Sequence, residues 1–211
     1  MDASIALLSI LGALTIGAMS PGPSFVLVAR TSIAVSRRAG LAAALGMGVG
    51  GVTFAALALL GLHTLLSQIG WLYLGLKVAG GLYLVYLAVR IWRGAAEPIT
   101  VPNGAEGQPG GFTRSFLFAL ATQLSNPKTA IVYGSIFAAL LPATPPAWVL
   151  LALPPAVFLI EAGWYAIVAV AFSAGRPRAA YLRSKTWIDR LAASVIGALG
   201  LRLVFEAAKP S

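Results

Sequence analysis

A chain of 211 residues that is 59% hydrophobic, only 10% charged and has a mean hydropathy of +0.88 lacks the polar surface of a water-soluble domain. It has no cysteine and a single histidine, which excludes disulfides and thiolate metal sites. Its formal charge of +9 would point to nucleic acid in a soluble protein; here the placement of the charges along apolar runs points to a membrane and not to nucleic acid.

Stretches of about 20 apolar residues can cross a bilayer core. Six lie along the chain: about Ser4 to Ile33, Leu41 to Leu62, Ile69 to Trp92, Phe112 to Leu141, Trp148 to Ser173 and Trp187 to Phe205. The first begins Met1-Asp2 and meets no Lys or Arg before Arg30, so it lacks the basic start of a cleaved signal peptide and reads as retained. Trp71, Trp92, Trp148 and Trp187 fall at the expected helix ends, where interfacial belts form. These runs predict an all-α integral membrane protein, one transmembrane domain of about six helices over residues 1–211.

Between the third and fourth runs, residues 93–111 hold Glu97, Pro98, Pro102, Asn103, Gly104, Glu106, Pro109 and Gly110, a polar linker. It divides the chain into halves of about 1–92 and 112–211, each with three runs. An odd number of crossings inserts a duplicated half upside down, as in the inverted repeats of many carriers. Arg37, Arg38, Arg93, Arg114, Arg176, Arg178, Arg183, Lys185 and Arg190 all fall on one side of this arrangement. The positive-inside rule makes that side cytoplasmic, facing anionic lipid, with both termini outside.

The first and fourth runs are longer than a straight span needs, and each carries a breaker near its middle: Ser20-Pro21-Gly22-Pro23 and Ser125-Asn126-Pro127-Lys128. Proline lacks an N–H and clashes with the carbonyl four residues earlier, here Gly17 and Gln123. It suits the first position of a new helix, and Ser or Asn suits the cap before it. Helices 1 and 4 are therefore expected to be broken by proline, with half-helices capped by Ser20 and Asn126. Such a start aims a positive dipole end into the membrane, which favours a carboxylate, while the preceding half offers carbonyls to a cation.

Ionisable residues inside spans are costly and tend to be functional. Lys77 shares a helical face with Tyr73, Gly80, Gly81 and Leu84, and the glycines admit a close neighbour. Lys128 sits beside the second break; it pairs with an acid, binds substrate or caps carbonyls of the first break. Glu161 forms an i, i+3, i+4 face with Trp164 and Tyr165. A buried carboxyl that changes protonation is what a proton-coupled carrier needs: ionised it holds an ammonium, neutral it releases one. Trp164 adds a cation–π face. The expected substrate site is thus Ser20, Pro21, Gly22, Pro23, Lys77, Gln123, Asn126, Pro127, Lys128, Glu161, Trp164 and Tyr165, with Glu161 as the proton-coupling group. Ala42, Gly46 and Gly50 form a small-residue stripe read as a packing seam, and a homodimer along a glycine stripe is a further expectation for a chain of this size.

The same residues carry a family resemblance. Ser20-Pro21-Gly22-Pro23, then Arg37-Arg38-Ala39-Gly40-Leu41 with Gly46 and Gly50, Lys77 before Gly80-Gly81-Leu82-Tyr83-Leu84, and Asn126-Pro127-Lys128 after Phe112 together resemble the LysE/RhtB family of bacterial amino-acid exporters. The resemblance implies a multi-pass protein of the bacterial inner membrane that moves an amino acid or close derivative outward, driven by the proton gradient. The last two runs carry no motif of that family. No metal-spaced His/Cys cluster, phosphate loop or nucleophile elbow is present, so neither an enzyme, a cofactor, a metal site nor an ATP-driven pump is expected. Two other functions fit an apolar bundle with kinked helices. One is a cation exporter or channel using the freed carbonyls; the other is a membrane scaffold without transport.

Overall fold

The computed structural model describes residues 2–68, 70–97, 110–142 and 144–207. They form eight helices and, among the described residues, no strand. In chain order these are α1 (Ala3–Met19), α2 (Pro23–Ala34), α3 (Arg37–Gln68), α4 (Gly70–Gly94), α5 (Phe112–Leu124), α6 (Pro127–Leu140), α7 (Ala147–Phe172) and α8 (Gly175–Ala207). Two stretches, Arg37–Gly61 and Ala147–Phe172, are each long and apolar enough to cross a membrane; α1 and α2, bent by 56° at their junction, qualify as a third if taken as one broken span. The linker residues 98–109 lie outside the described residues.

Local chemistry sets the helix ends. Asp2 caps α1, its carboxylate accepting from the Ser4 N–H at 2.8 Å. α1 stops at Ser20, whose extended backbone (φ −71°, ψ 120°) is what a residue before proline adopts. The next helix does not start there. Gly22 is the cap and Pro23 the first helical residue, so the Ser20-Pro21 start expected from the sequence is displaced by two residues. Gly22 itself precedes a proline, and the extended conformation it is forced into is the one a cap needs. α6 starts as expected: Asn126 caps it, its Oδ1 accepting from the Lys128 N–H at 3.0 Å, with Pro127 in the first turn. α8 begins twelve residues before the apolar run it carries, so Trp187 lies within a helix and not at its end.

Two apolar clusters flank a polar centre. One joins Ile10 and Leu14 of α1 to Leu84 of α4, Ile136 and Phe137 of α6, Leu153 and Val157 of α7 and Ile196 of α8. The other joins Phe25 and Val28 of α2 to Ala43 and Met47 of α3 and to Val168 and Phe172 of α7. Large side chains such as Leu8, Leu60, Leu151 and Leu159 stand on the outside, as suits a lipid-facing surface. The most extensive interfaces are α4 with α8, α3 with α7 and α3 with α5.

Glycines permit these close approaches. Gly46 of α3 lies against the Phe116 carbonyl of α5, and a Cβ at Gly50 would sit 2.6 Å from Gln123 Cγ. The stripe is therefore the packing seam the sequence indicated, with α5 seated on it. α4 and α8 cross at Gly81 and Gly200, where a Cβ on either would sit 2.8 Å or 2.6 Å from the other's carbonyl. Backbone cannot move aside as a side chain can. Gly200→Ala is expected to force the helices apart and cost about 1–3 kcal/mol; a lowered Tm of the purified protein in detergent checks this, and an unchanged Tm would show that the crossing is slack.

Candidate functional site

The two proline-initiated helices meet at the centre of the bundle, and the groups beside them are hydrogen-bonded in series. Asn126 Nδ2 donates to Ser24 Oγ at 3.1 Å, and the Ser24 hydroxyl donates to Gln123 Oε1 at 2.6 Å. Gln123 Nε2 donates to Glu161 Oε2 at 3.4 Å, and the Tyr133 hydroxyl donates to Glu161 Oε1 at 2.9 Å. The chain of bonds thus runs from the first turn of α2, across the α5–α6 junction, to the middle of α7. Ser24, Gln123, Asn126 and Glu161 are all buried, Glu161 to 4% exposure. Buried polar groups this deep are costly unless paired, and here each is paired.

Glycines on α3 leave room for the carboxylate. A Cβ at Gly51 would lie 2.8 Å from Glu161 Cγ and 3.0 Å from the Tyr133 hydroxyl oxygen. Tyr133 in turn stacks on Phe137, with ring centroids 6.2 Å apart, which fixes the direction of its hydroxyl.

Lys128 bridges the two proline junctions. Its Nζ donates to the Ser20 carbonyl, the C-cap of α1, at 3.4 Å. It lies 3.3 Å from the position a Gly22 Cβ would occupy, so a side chain there would require the ammonium to shift by a few tenths of an ångström. Of the three roles open for Lys128 in the sequence, the structure displays the capping one. It forms no ion pair with Glu161; both Glu161 and Asp189 nevertheless act on its charge electrostatically.

Two cavities share Lys128, Gly22 and Asn126 in their walls. The inner one, about 30 Å³, also touches Ser20, Ser24, Gln123, Tyr133, Glu161 and Tyr165. That is room for about one water, not for a solute. The outer one is a cleft of about 480 Å³ between the starts of α2 and α6 on one wall and the end of α4 and the first half of α8 on the other, reaching Arg90, Glu97, Lys185 and Asp189. A cleft of that size holds a small solute.

Of the expected site residues, Ser20, Gly22, Gln123, Asn126, Lys128, Glu161 and Tyr165 come together at the inner cavity, and Pro21, Pro23 and Pro127 line the cleft. Trp164 does not line that cavity; it packs, partly buried, against the cluster of α2, α3 and α7 to which Tyr165 also belongs. Lys77 lies in α4, and its side chain is outside the described residues. Sequence reasoning missed Ser24, Tyr133 and Asp189. Ser24 follows Pro23 directly, and Tyr133 sits four residues after Thr129 on the cavity face of α6. Either spacing could have revealed them. Among the described residues no group of acidic or histidine side chains could hold a metal ion.

The model of the LysE type translocator family matches residues 15–207. The chain is 33% identical to a threonine efflux protein of Escherichia coli (strain K12), over 89% of this chain and 92% of that one. It is 34% identical to a threonine efflux protein of Salmonella typhi over the same shares, and 32% identical to a homoserine/homoserine lactone efflux protein of Salmonella typhimurium over 58% of each chain. No solved structure matches. With its family model covering nearly all of an apolar helical bundle, the chain belongs to the LysE-type translocators, a family of membrane transporters and not of enzymes.

Proposed function

We propose that this protein is a secondary exporter of a small amino acid of the threonine and homoserine kind, coupled to inward proton movement. The observation that carries this reading is the continuous hydrogen-bonded series from both proline-initiated helices to Glu161, lining an inner cavity that shares Gly22, Asn126 and Lys128 with a cleft large enough for such a solute. Two relatives that span 92% of their length with this chain bear the name threonine efflux protein. The substrate carboxylate is read as held by Lys128 and the positive helix starts, and the ammonium by Glu161.

On this reading α1–α2 and α5–α6 are two broken spans at equivalent places in inverted halves, and the six spans place both termini outside. The cleft mouth carries Arg90 and Lys185, the side the positive-inside rule makes cytoplasmic. The protein then stands open inward, with the inner cavity closed until substrate or proton arrives. A proton moving inward across about 100 mV releases about 2.3 kcal/mol, enough for about 50-fold accumulation outside. A scaffold would have dry packing at residues 20–23 and 126–128, and the cleft there speaks against one. A cation channel would need more acidic groups than the single carboxylate of the inner cavity.

Inside-out vesicles holding the full-length protein and an acidic interior are expected to accumulate labelled threonine and to lose that uptake when the gradient is collapsed. Vesicles in which no tested amino acid moves with the gradient would overturn the proposal.

A further inference from the structure

Two acidic residues of the cleft, Glu97 and Asp189, are left unused by the scheme above, and the surroundings of Asp189, on α8, are incomplete. Its Oδ2 pairs with Lys185 Nζ at 2.8 Å. The same Nζ donates to the carbonyls of Gly94 and Ala95, each at 3.1 Å, at the end of α4. An ammonium has three N–H groups, and these three acceptors use them all. Lys185 therefore has nothing left for the second carboxylate oxygen. Asp189 Oδ1 is buried without a hydrogen-bond donor among the described residues, in a side chain only 6% exposed. A buried carboxylate oxygen left unpaired is expensive, and such exceptions call for an explanation.

The cleft supplies one. Asp189 lines it together with Arg90, Lys128, Lys185 and Glu97; Oδ1 is closed off in this state, and a small shift of the wall that uncovers it would offer a solute a carboxylate lacking a donor beside the cations Arg90 and Lys128. That is the complement of a zwitterion: an ammonium for Asp189, a carboxylate for the cations. Lys128 lies within the electrostatic reach of both Asp189 and Glu161 and stands in the wall common to cleft and inner cavity. We propose that Asp189 is an outer binding station of the transport path, taking the ammonium of an α-amino acid in the cleft before it passes Lys128 to Glu161. The proposal rests on the transport reading and adds a second site to it. A lysine already saturated by three acceptors also explains why Asp189 is more than a latch between α8 and α4.

The test is the KM of threonine uptake in inside-out vesicles, where the cleft faces the added substrate. Asp189→Asn is expected to raise KM about 10-fold or more, the weight of one charge-assisted bond, with the maximal rate held within about two-fold. Asp189→Glu should recover most of the affinity. Gly200→Ala, which loosens the α8–α4 seam away from the cleft and keeps the carboxylate, should leave KM near the original. If Asp189→Asn fails to reach the membrane, the Lys185→Met/Asp189→Asn double variant removes the pair as a unit and is read the same way. An unchanged KM in Asp189→Asn, or an equal rise in Gly200→Ala, would make Asp189 a seam residue and overturn the station. Native vesicles that move no amino acid would overturn the transport reading first and the station with it.

Discussion

Glu161→Gln is expected to abolish gradient-driven accumulation while the protein still exchanges threonine for threonine. The glutamine is nearly isosteric, so the room left by Gly51 still fits it. It offers one acceptor where the carboxylate offers two, so the hydroxyl of Tyr133 and the amide of Gln123 cannot both be served as they are now. The larger loss is charge: an amide neither holds an ammonium by charge nor takes up a proton. Losing a charge-assisted hydrogen bond corresponds to about 10–100-fold in affinity, and losing the proton site removes the coupling altogether. The check is a pair of measurements on one preparation, uptake driven by a pH gradient and counterflow at symmetrical pH. Intact gradient-driven accumulation in the variant would remove Glu161 from the coupling step. Loss of both activities with a normal Tm would instead place Glu161 in substrate binding alone.

That Glu161 could be singled out from the sequence follows from physical cost. A lone acid deep in an apolar run is expensive, so its presence is informative before any partner is known. Its partner Tyr133, and Ser24 further along the same series, were less visible, because they are ordinary residues in membrane helices and only the fold brings α2, α5, α6 and α7 to one point. The prolines teach a related lesson. Pro154 and Pro155 lie within α7, and the helix runs through them, whereas helices begin at Pro23 and Pro127. What separates them is the preceding residue. Gly22 and Asn126 are good caps, while Leu153 offers no capping oxygen and packs into the core. Proline alone does not mark a helix start; the pair of cap and proline does. Asp189 stayed hidden for a different reason. It stands in a stretch rich in arginine and lysine, where an i, i+4 partner for Lys185 reads as surface pairing. Only the folded end of α4, with its carbonyls of Gly94 and Ala95, shows that the lysine is already saturated.

Lys128→Met should be as damaging as the change at Glu161, by a different route. Lys128 is the point through which the proline junctions and both cavities meet, since its ammonium caps the end of α1 while lining the cleft and the inner cavity. Methionine keeps the length and apolar stem of the side chain but removes the charge. The Ser20 carbonyl then loses its donor, and the substrate carboxylate loses its cation. A fall of about 10–100-fold in kcat/KM for threonine is expected from the missing charge-assisted bond. Stability alone would move transport of every solute equally, so the decisive readout is discrimination. Native protein should prefer threonine to threoninamide, which lacks the carboxylate; Lys128→Met should lose that preference. Lys128→Arg restores charge but must fit a broader guanidinium into the space that Gly22 leaves, 3.3 Å from Nζ to the nearest possible Cβ, and should recover the preference at a reduced rate. If Lys128→Met still favours threonine over threoninamide as strongly as the native protein does, Lys128 only caps α1, and the carboxylate is held by the helix starts of α2 and α6 without it.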